Sequence, residues 1–233
     1  MKLIAILALT TALLAACGGG GGGSDATPTA PKQIPAVSID ATGDSTMHGY
    51  QPGVGTTPNS APVELQRALQ AAFDSTVTVQ NNGSVGARLT DLLLGNQPFY
   101  STAFTTSLST NSAQIVLENY GINDSNSRTP DEYAADLNTW IADVRAVGKI
   151  PVLEEPNPVC RADMTHLDAF VDVLRNVAKQ QGVTLIEQYD YIRGLPNWQS
   201  MLADCIHPND ALYAIKAQRE AAVLIPIVAK LRG

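Results

Sequence analysis

The 233 residues hold only three cysteines and three histidines. These fall at no paired ligand spacing, which argues against a four-ligand zinc site. Basic residues are also scarce: 15 Lys and Arg face 22 Asp and Glu, for a formal net charge of −7. That balance argues against nucleic-acid backbone binding, and no run of like charges appears anywhere. Long apolar runs are missing too. The longest, residues 3–14, is too short to span a bilayer as a mature helix. No internal repeat is visible. What remains is 45% hydrophobic and 16% charged, a globular composition at a length that suits one α/β domain plus extras.

The extras sit at the front. Met1-Lys2 is a short positive start, and the apolar stretch ends in Leu14-Ala15-Ala16-Cys17. Small residues followed directly by cysteine resemble a bacterial lipoprotein signal. That resemblance implies a leader over 1–16, cut before a lipidated Cys17; an ordinary secretory leader is the plainer alternative. One lysine leaves with the leader, which shifts the charge from −7 to −8. Six glycines (18–23) and a Pro/Thr/Ala-rich run reach residue 35. Such composition reads as a flexible tether over 17–35. It is not a phosphate loop, because no strand precedes it and no Lys-Ser/Thr pair follows. The expected location is the bacterial cell envelope, with membrane contact through the lipid alone. Lipidation of Cys17 leaves Cys160 and Cys205 as an even pair, either a disulfide formed in an oxidising compartment or two small buried thiols.

From residue 36 to 233 the pattern alternates. Short β-branched runs at 36–40, 77–79, 114–117, 150–153 and 183–186 read as buried parallel strands. Helical spacing separates them at 63–73, 129–147 and 165–182, and a last helix runs over about 209–231 with Pro226 kinking or splitting it. Thr129-Pro130-Asp131-Glu132 is a capping box with proline at the first helical position. The expected fold class is a three-layer α/β/α sandwich with a five-stranded parallel sheet of flavodoxin-like order.

Asp-Ser-Thr occurs twice, at 44–46 and 74–76. Open parallel sheets bind ligands beyond the carboxyl ends of their strands. Ser45 follows the first strand, whereas Ser75 precedes the second, so the two belong at opposite ends of the sheet. Ser45 is therefore the candidate nucleophile. A serine hydroxyl needs a base, a group that orients the base, and donors for an oxyanion. His48 has no acid placed to orient it, and His166 reads as a helix-start surface residue. His207 has Asp204 three residues before it, within reach of the imidazole Nδ1. Glycine and asparagine suited to oxyanion donation follow the second and third strands, in Gln80 to Arg88 and Glu118 to Asp124.

Taken in order, the chain reads Gly43-Asp44-Ser45-Thr46, then Asn81-x-Gly83-x-x-Gly86, then Gly121-x-Asn123-Asp124, then Asp204-x-x-His207-Pro208. Four blocks in this order resemble the SGNH, or GDSL-type, serine hydrolase superfamily over nearly all of 36–233. Gly-x-Ser-x-Gly is absent, which argues against the α/β-hydrolase arrangement. The resemblance implies Ser45 as nucleophile, His207 as base and Asp204 as its orienting acid. It implies an oxyanion hole from Ser45 N–H, Gly86 N–H (with Gly83 the other glycine of that block) and the Asn123 amide. Asp44 and Asp124 match acids that brace loops. No metal or organic cofactor is required.

The chain departs from the family pattern in two places. Thr46 stands where Leu or Ile is frequent; threonine there leans toward the carbohydrate acetylesterases. Cys205 stands where glycine is frequent, and a Cys160–Cys205 disulfide would pin the loop carrying Asp204 and His207. Met47, His48, Tyr50, Tyr120 and Trp198 either line the mouth of the site, where an aromatic rim suits sugar stacking, or are ordinary packing. Glu154-Glu155 reads as a loop-start pair of acids, and Arg88 either binds a carboxylate or lies on the surface. Residues 50–61 form a Gly/Pro-rich loop beside Ser45, with no insert large enough for a lipase lid. The expected activity is a monomeric serine esterase removing short acyl groups, acetyl first, from a small molecule or an envelope glycan. Alternatives are a thioesterase or lysophospholipase with the same machinery, or a non-catalytic glycan-binding lipoprotein.

Overall fold

In the first strand, β1 (Val37–Gly43), alternate side chains face opposite ways: Val37, Ile39 and Ala41 enter one apolar cluster, while Ser38, Asp40 and Thr42 face the other side. The computed structural model describes residues 34–233, so the leader, Cys17 and nearly all of the tether lie outside the described residues. After β1 come the short helix α1 (Ser45–His48) and a two-stranded hairpin of β2 (Tyr50–Gln51) and β3 (Gly55–Thr56). There follow α2 (Ala61–Ala72), β4 (Val77–Gly83), α3 (Leu89–Leu94), α4 (Phe104–Thr110) and β5 (Ile115–Asn119). The rest is α5 (Pro130–Ala146), β6 (Ile150–Glu154), α6 (Leu167–Gln181), β7 (Thr184–Ile186), α7 (Tyr189–Arg193) and α8 (Asp210–Arg232).

The main sheet has the order β4-β1-β5-β6-β7 and every pairing in it is parallel. This is the expected α/β fold. Leu65 and Leu69 of α2 and Leu224 and Val228 of α8 pack on one face with Ile39, Ile115 and Val152. On the other face Leu89, Leu137, Trp140, Phe170 and Leu174 from α3, α5 and α6 pack with Val116 and Leu153. Chain order reverses at β1, whose neighbours are β4 on one side and β5 on the other. A crevice opens at such a reversal. The register brings Gly43 level with Gly83 and Asn119, so the loops after these three strands leave the sheet side by side.

Several boundaries differ from the sequence reading. β1 and β4 run on to Gly43 and Gly83, and α1, α3, α4, α7 and the hairpin were not anticipated. Thr129 caps α5 as expected, with its side chain and that of Glu132 bonding reciprocally to the backbone. Pro226 does not split the last helix, which runs unbroken from Asp210 to Arg232. Proline there removes the donor to the Ala222 carbonyl. Both residues are exposed, so water can satisfy that oxygen.

Candidate active site

Ser45 is the first residue of α1, directly beyond the carboxyl end of β1. The turn into this helix is crowded. A Cβ on Gly43 would lie 2.7 Å from the Asn119 carbonyl oxygen and 2.5 Å from Met47 Cβ, so only glycine fits. Asp44 is the N-cap: its Oδ1 accepts from Thr46 N at 2.8 Å and from Thr46 Oγ1 at 2.9 Å. The cap serves Thr46 N–H, which leaves Ser45 N–H among the open donors of the helix start. Burial raises the Asp44 pKa, and the Thr46 hydrogen bonds oppose that rise. Thr46 itself is fully buried, with its hydroxyl also 3.2 Å from Asn119 Oδ1. Its hydroxyl therefore serves the scaffold.

Ser45 Oγ lies 2.9 Å from His207 Nε2, across 162 residues of chain. On the far side of the ring, His207 Nδ1 lies 2.8 Å and 3.0 Å from the two Asp204 oxygens. Asp204 Oδ1 also accepts the backbone N–H groups of Ile206 and His207. Partial burial works to raise the Asp204 pKa, but these bonds and the imidazole prevail and hold it below the usual carboxylate range. Between them Cys205 adopts φ +65°, a left-handed conformation that favours glycine. Cys205 is bonded to Cys160 through a disulfide, and Cys160 N donates to the Cys205 carbonyl at 2.8 Å. The loop after β6 is thus stapled to the loop carrying Asp204 and His207. Closing a 45-residue separation is worth about 4 kcal/mol in the chain-entropy account.

The two other blocks lie in the neighbouring loops. Gly86 has φ +84°, and its N–H has no acceptor among the described residues. Asn123 Nδ2 donates to the Ala87 carbonyl at 3.0 Å, which holds the amide beside the Gly86 loop and leaves its second N–H free. Asp124 is fully buried and accepts from Leu89 N and Gly121 N at 3.0 and 3.1 Å. Burial pushes its pKa up to about 7 against those bonds. It braces two loops and meets no solvent.

Some of the other residues lie where the sequence reading put them and some do not. Tyr120 and Met47 are fully buried and leave the mouth of the site; Tyr120 OH bonds Tyr100 OH at 2.5 Å. Trp198 packs with Cys160 against Ile192, Leu202 and Leu212. Tyr50 does reach the site, edge-on to His207 with ring centroids 4.8 Å apart. His48 is held between the Gly83 carbonyl and Thr56 Oγ1, at 3.0 and 2.7 Å, and His166 is an exposed residue at the start of α6. Glu154 and Glu155 do stand where β6 passes into its loop, and both are fully buried. Glu154 pairs with buried Lys216 at 2.9 Å, and Glu155 with Arg175 at 2.5 Å and with the Gln188 and Tyr189 N–H groups. Arg88 is spent on Asp91, 2.9 Å away, across the first turn of α3. Ser75 lies before β4, at the opposite end of the sheet from Ser45.

Residues 41–215 match the GDSL-like Lipase/Acylhydrolase family. The chain belongs to this family. Solved structures share the fold at low identity. A lipase/acylhydrolase from Enterococcus faecalis is 18% identical, with a TM-score of 0.66 over 82% of this chain and 96% of that one. An α/β hydrolase enzyme from the metagenome of Lake Arreo, Spain, is 21% identical, with a TM-score of 0.64 over 86% and 99%. A carbohydrate acetylesterase from Sinorhizobium meliloti is 14% identical, with a TM-score of 0.63 over 82% and 99%. No curated protein matches the sequence.

Proposed function

We propose that this GDSL-family hydrolase is a serine esterase that removes short acyl groups, acetyl first, at the bacterial cell envelope. The observation that carries the reading is the unbroken hydrogen-bonded line from Ser45 Oγ through His207 to Asp204. Ser45 Oγ attacks the ester carbonyl carbon while His207 Nε2 takes the hydroxyl proton. Asp204 keeps the proton on Nδ1 and stabilises the imidazolium. The carbonyl oxygen becomes an oxyanion, held by the N–H groups of Ser45 and Gly86 and the free N–H of Asn123. The C–O bond to the leaving group breaks, and His207 returns the proton to the departing alkoxide. Water then attacks the acyl-enzyme with His207 again as base, releasing the acid and restoring Ser45.

Short acyl groups fit the surroundings. The loop beside Ser45 is a tight hairpin, tied down where Asp210 accepts from Gln51, Thr57 and Asn59. Its apolar side chains are few, Tyr50 against His207 and the exposed Val54, which is little cover for a long chain. Envelope location and a lipid anchor at Cys17 rest on the leader pattern. No helix among the described residues is long and apolar enough to cross a membrane.

The test is a rate profile on p-nitrophenyl esters from acetate to palmitate. Acetate should be fastest. A longer-chain optimum would replace this reading with a lipid-directed one, and no turnover on any ester would remove the esterase reading altogether.

A further inference from the structure

The face of β1 and β4 turned toward α4 is polar where a sandwich normally buries apolar side chains. Asp40 and Thr42 of β1 and Gln80 and Asn82 of β4 form the floor of a cleft of about 650 Å3. That volume is typical of small-ligand sites, which span roughly 300–1,000 Å3. Asp40 is nearly buried, with one oxygen taken by Asn82 Nδ2 at 2.6 Å and the other by Asn111 Nδ2 at 2.5 Å. The opposite wall is α4, whose Phe104 and Leu108 enter the core while Thr106, Ser107 and Thr110 line the cleft. Phe99 and Tyr100 add two half-buried rings.

This lining selects by exclusion. Among the described residues no lysine or arginine lines the cleft, its one histidine, His48, is held by the Gly83 carbonyl and Thr56, and its nearly buried acid disfavours an anion. A polar floor disfavours an alkyl chain, which would strip water from amides and hydroxyls without replacing it. What fits is a neutral molecule with many hydroxyls and flat apolar faces. Gln80 and Thr106, on floor and wall, are exposed, and their side chains make no hydrogen bond among the described residues, so both are open to a ligand. The cleft also runs to the reaction end of the sheet. Its residues Gly83 and Ser84 stand level with and bonded to Gly43, and a Cβ on Gly86 would lie 3.4 Å from the Phe99 ring.

We propose that this cleft binds the sugar part of the substrate, a neutral oligosaccharide whose ester is thereby presented to Ser45. The acyl half of the idea rests on the esterase reading above; the sugar half rests on the cleft.

Calorimetric titration of the full-length Ser45→Ala protein tests it, with cellotetraose, xylotetraose and chitotetraose as neutral probes and tetragalacturonate and decanoate as counter-probes. At least one neutral tetrasaccharide should bind and neither counter-probe should. Gln80→Leu and Thr106→Val should each weaken that binding about tenfold, the worth of one hydrogen bond. In the Ser45 enzyme the same changes should lower kcat/KM for an acetylated tetrasaccharide relative to p-nitrophenyl acetate by a similar factor. Failure of all neutral probes, binding that survives both substitutions, or equal binding of a counter-probe would overturn the proposal. The two readings fail separately: ester turnover without sugar binding removes the cleft proposal, and sugar binding without ester turnover removes the esterase.

Discussion

Asp44-Ser45-Thr46 and Asp74-Ser75-Thr76 make the same two local bonds. In each, the aspartate Oδ1 accepts from the backbone N–H and the hydroxyl of the threonine two residues on. The local chemistry is shared and the surroundings are not. Asp44 is buried at the carboxyl end of β1, with the Ser45 hydroxyl aimed at a histidine. Asp74 sits in an exposed turn before β4, pairs with Arg232, and has Ser75 open to solvent. A tripeptide sets a turn; its position along the sheet decides whether that turn meets a base.

The largest expected break in the comparison is in rate. Ser45→Ala should lower turnover of p-nitrophenyl acetate by about 10⁶-fold, as loss of a nucleophile does, while Ser75→Ala stays within about twofold. Equal losses would mean that Ser45 is not the attacking group. Next comes Asn123→Ala, which removes one proposed oxyanion donor. Its kcat should fall roughly 10²–10³-fold with KM little changed; a pure KM effect would assign Asn123 to substrate binding instead.

The disulfide gives a smaller effect. A Cys160→Ser/Cys205→Gly double variant removes the staple and puts glycine, which accepts the left-handed conformation, at the turn. It should lose roughly 4 kcal/mol in chemical denaturation and part of its kcat through looser placement of His207. Unchanged kcat would confine the staple to stability.

The smallest effect is one of sign with pH. Burial raises Asp44 above its unfolded value near 3.8, so its contribution favours the folded state at low pH and is lost as pH rises through the shifted value. The Thr76 bonds and Arg232 lower Asp74 to about 2, so its contribution is present above 3.8 and is lost as pH falls toward 2. Asp44→Asn should flatten the fall of the melting temperature with rising pH above about 4. Asp74→Asn should instead flatten the fall with decreasing pH below that point. Identical profiles for the two variants would show that burial does not distinguish the tripeptides.

The inner strands β1, β5 and β6 were legible because parallel strands buried on both faces are short β-branched runs, whereas the edge strands β4 and β7, also read as buried, are only partly buried. The four blocks were legible because each lies within a few consecutive residues. The short helices were not: α1 has four residues, and α4, Phe-Thr-Thr-Ser-Leu-Ser-Thr, is built from weak helix formers. Side-chain direction was the other loss. Tyr120 stands beside Asn119 in sequence, yet it packs in the same cluster as Val116 on the inner face. The burial of Glu154 and Glu155 could not be read from their loop-start position, because their partners, Lys216 and Arg175, lie far along the chain. The polar cleft floor was invisible for the same reason: Asp40, Asn82 and Asn111 are drawn together from three separate segments.

The 162-residue separation between Ser45 and His207 has a consequence for the timing of synthesis. A ribosome adds Ser45 long before it adds the His207 imidazole. Until the last fifth of the chain has emerged and docked, Ser45 has no proton acceptor. On the proposed mechanism the growing polypeptide would therefore be silent toward esters until the segment carrying His207 has docked beside Ser45.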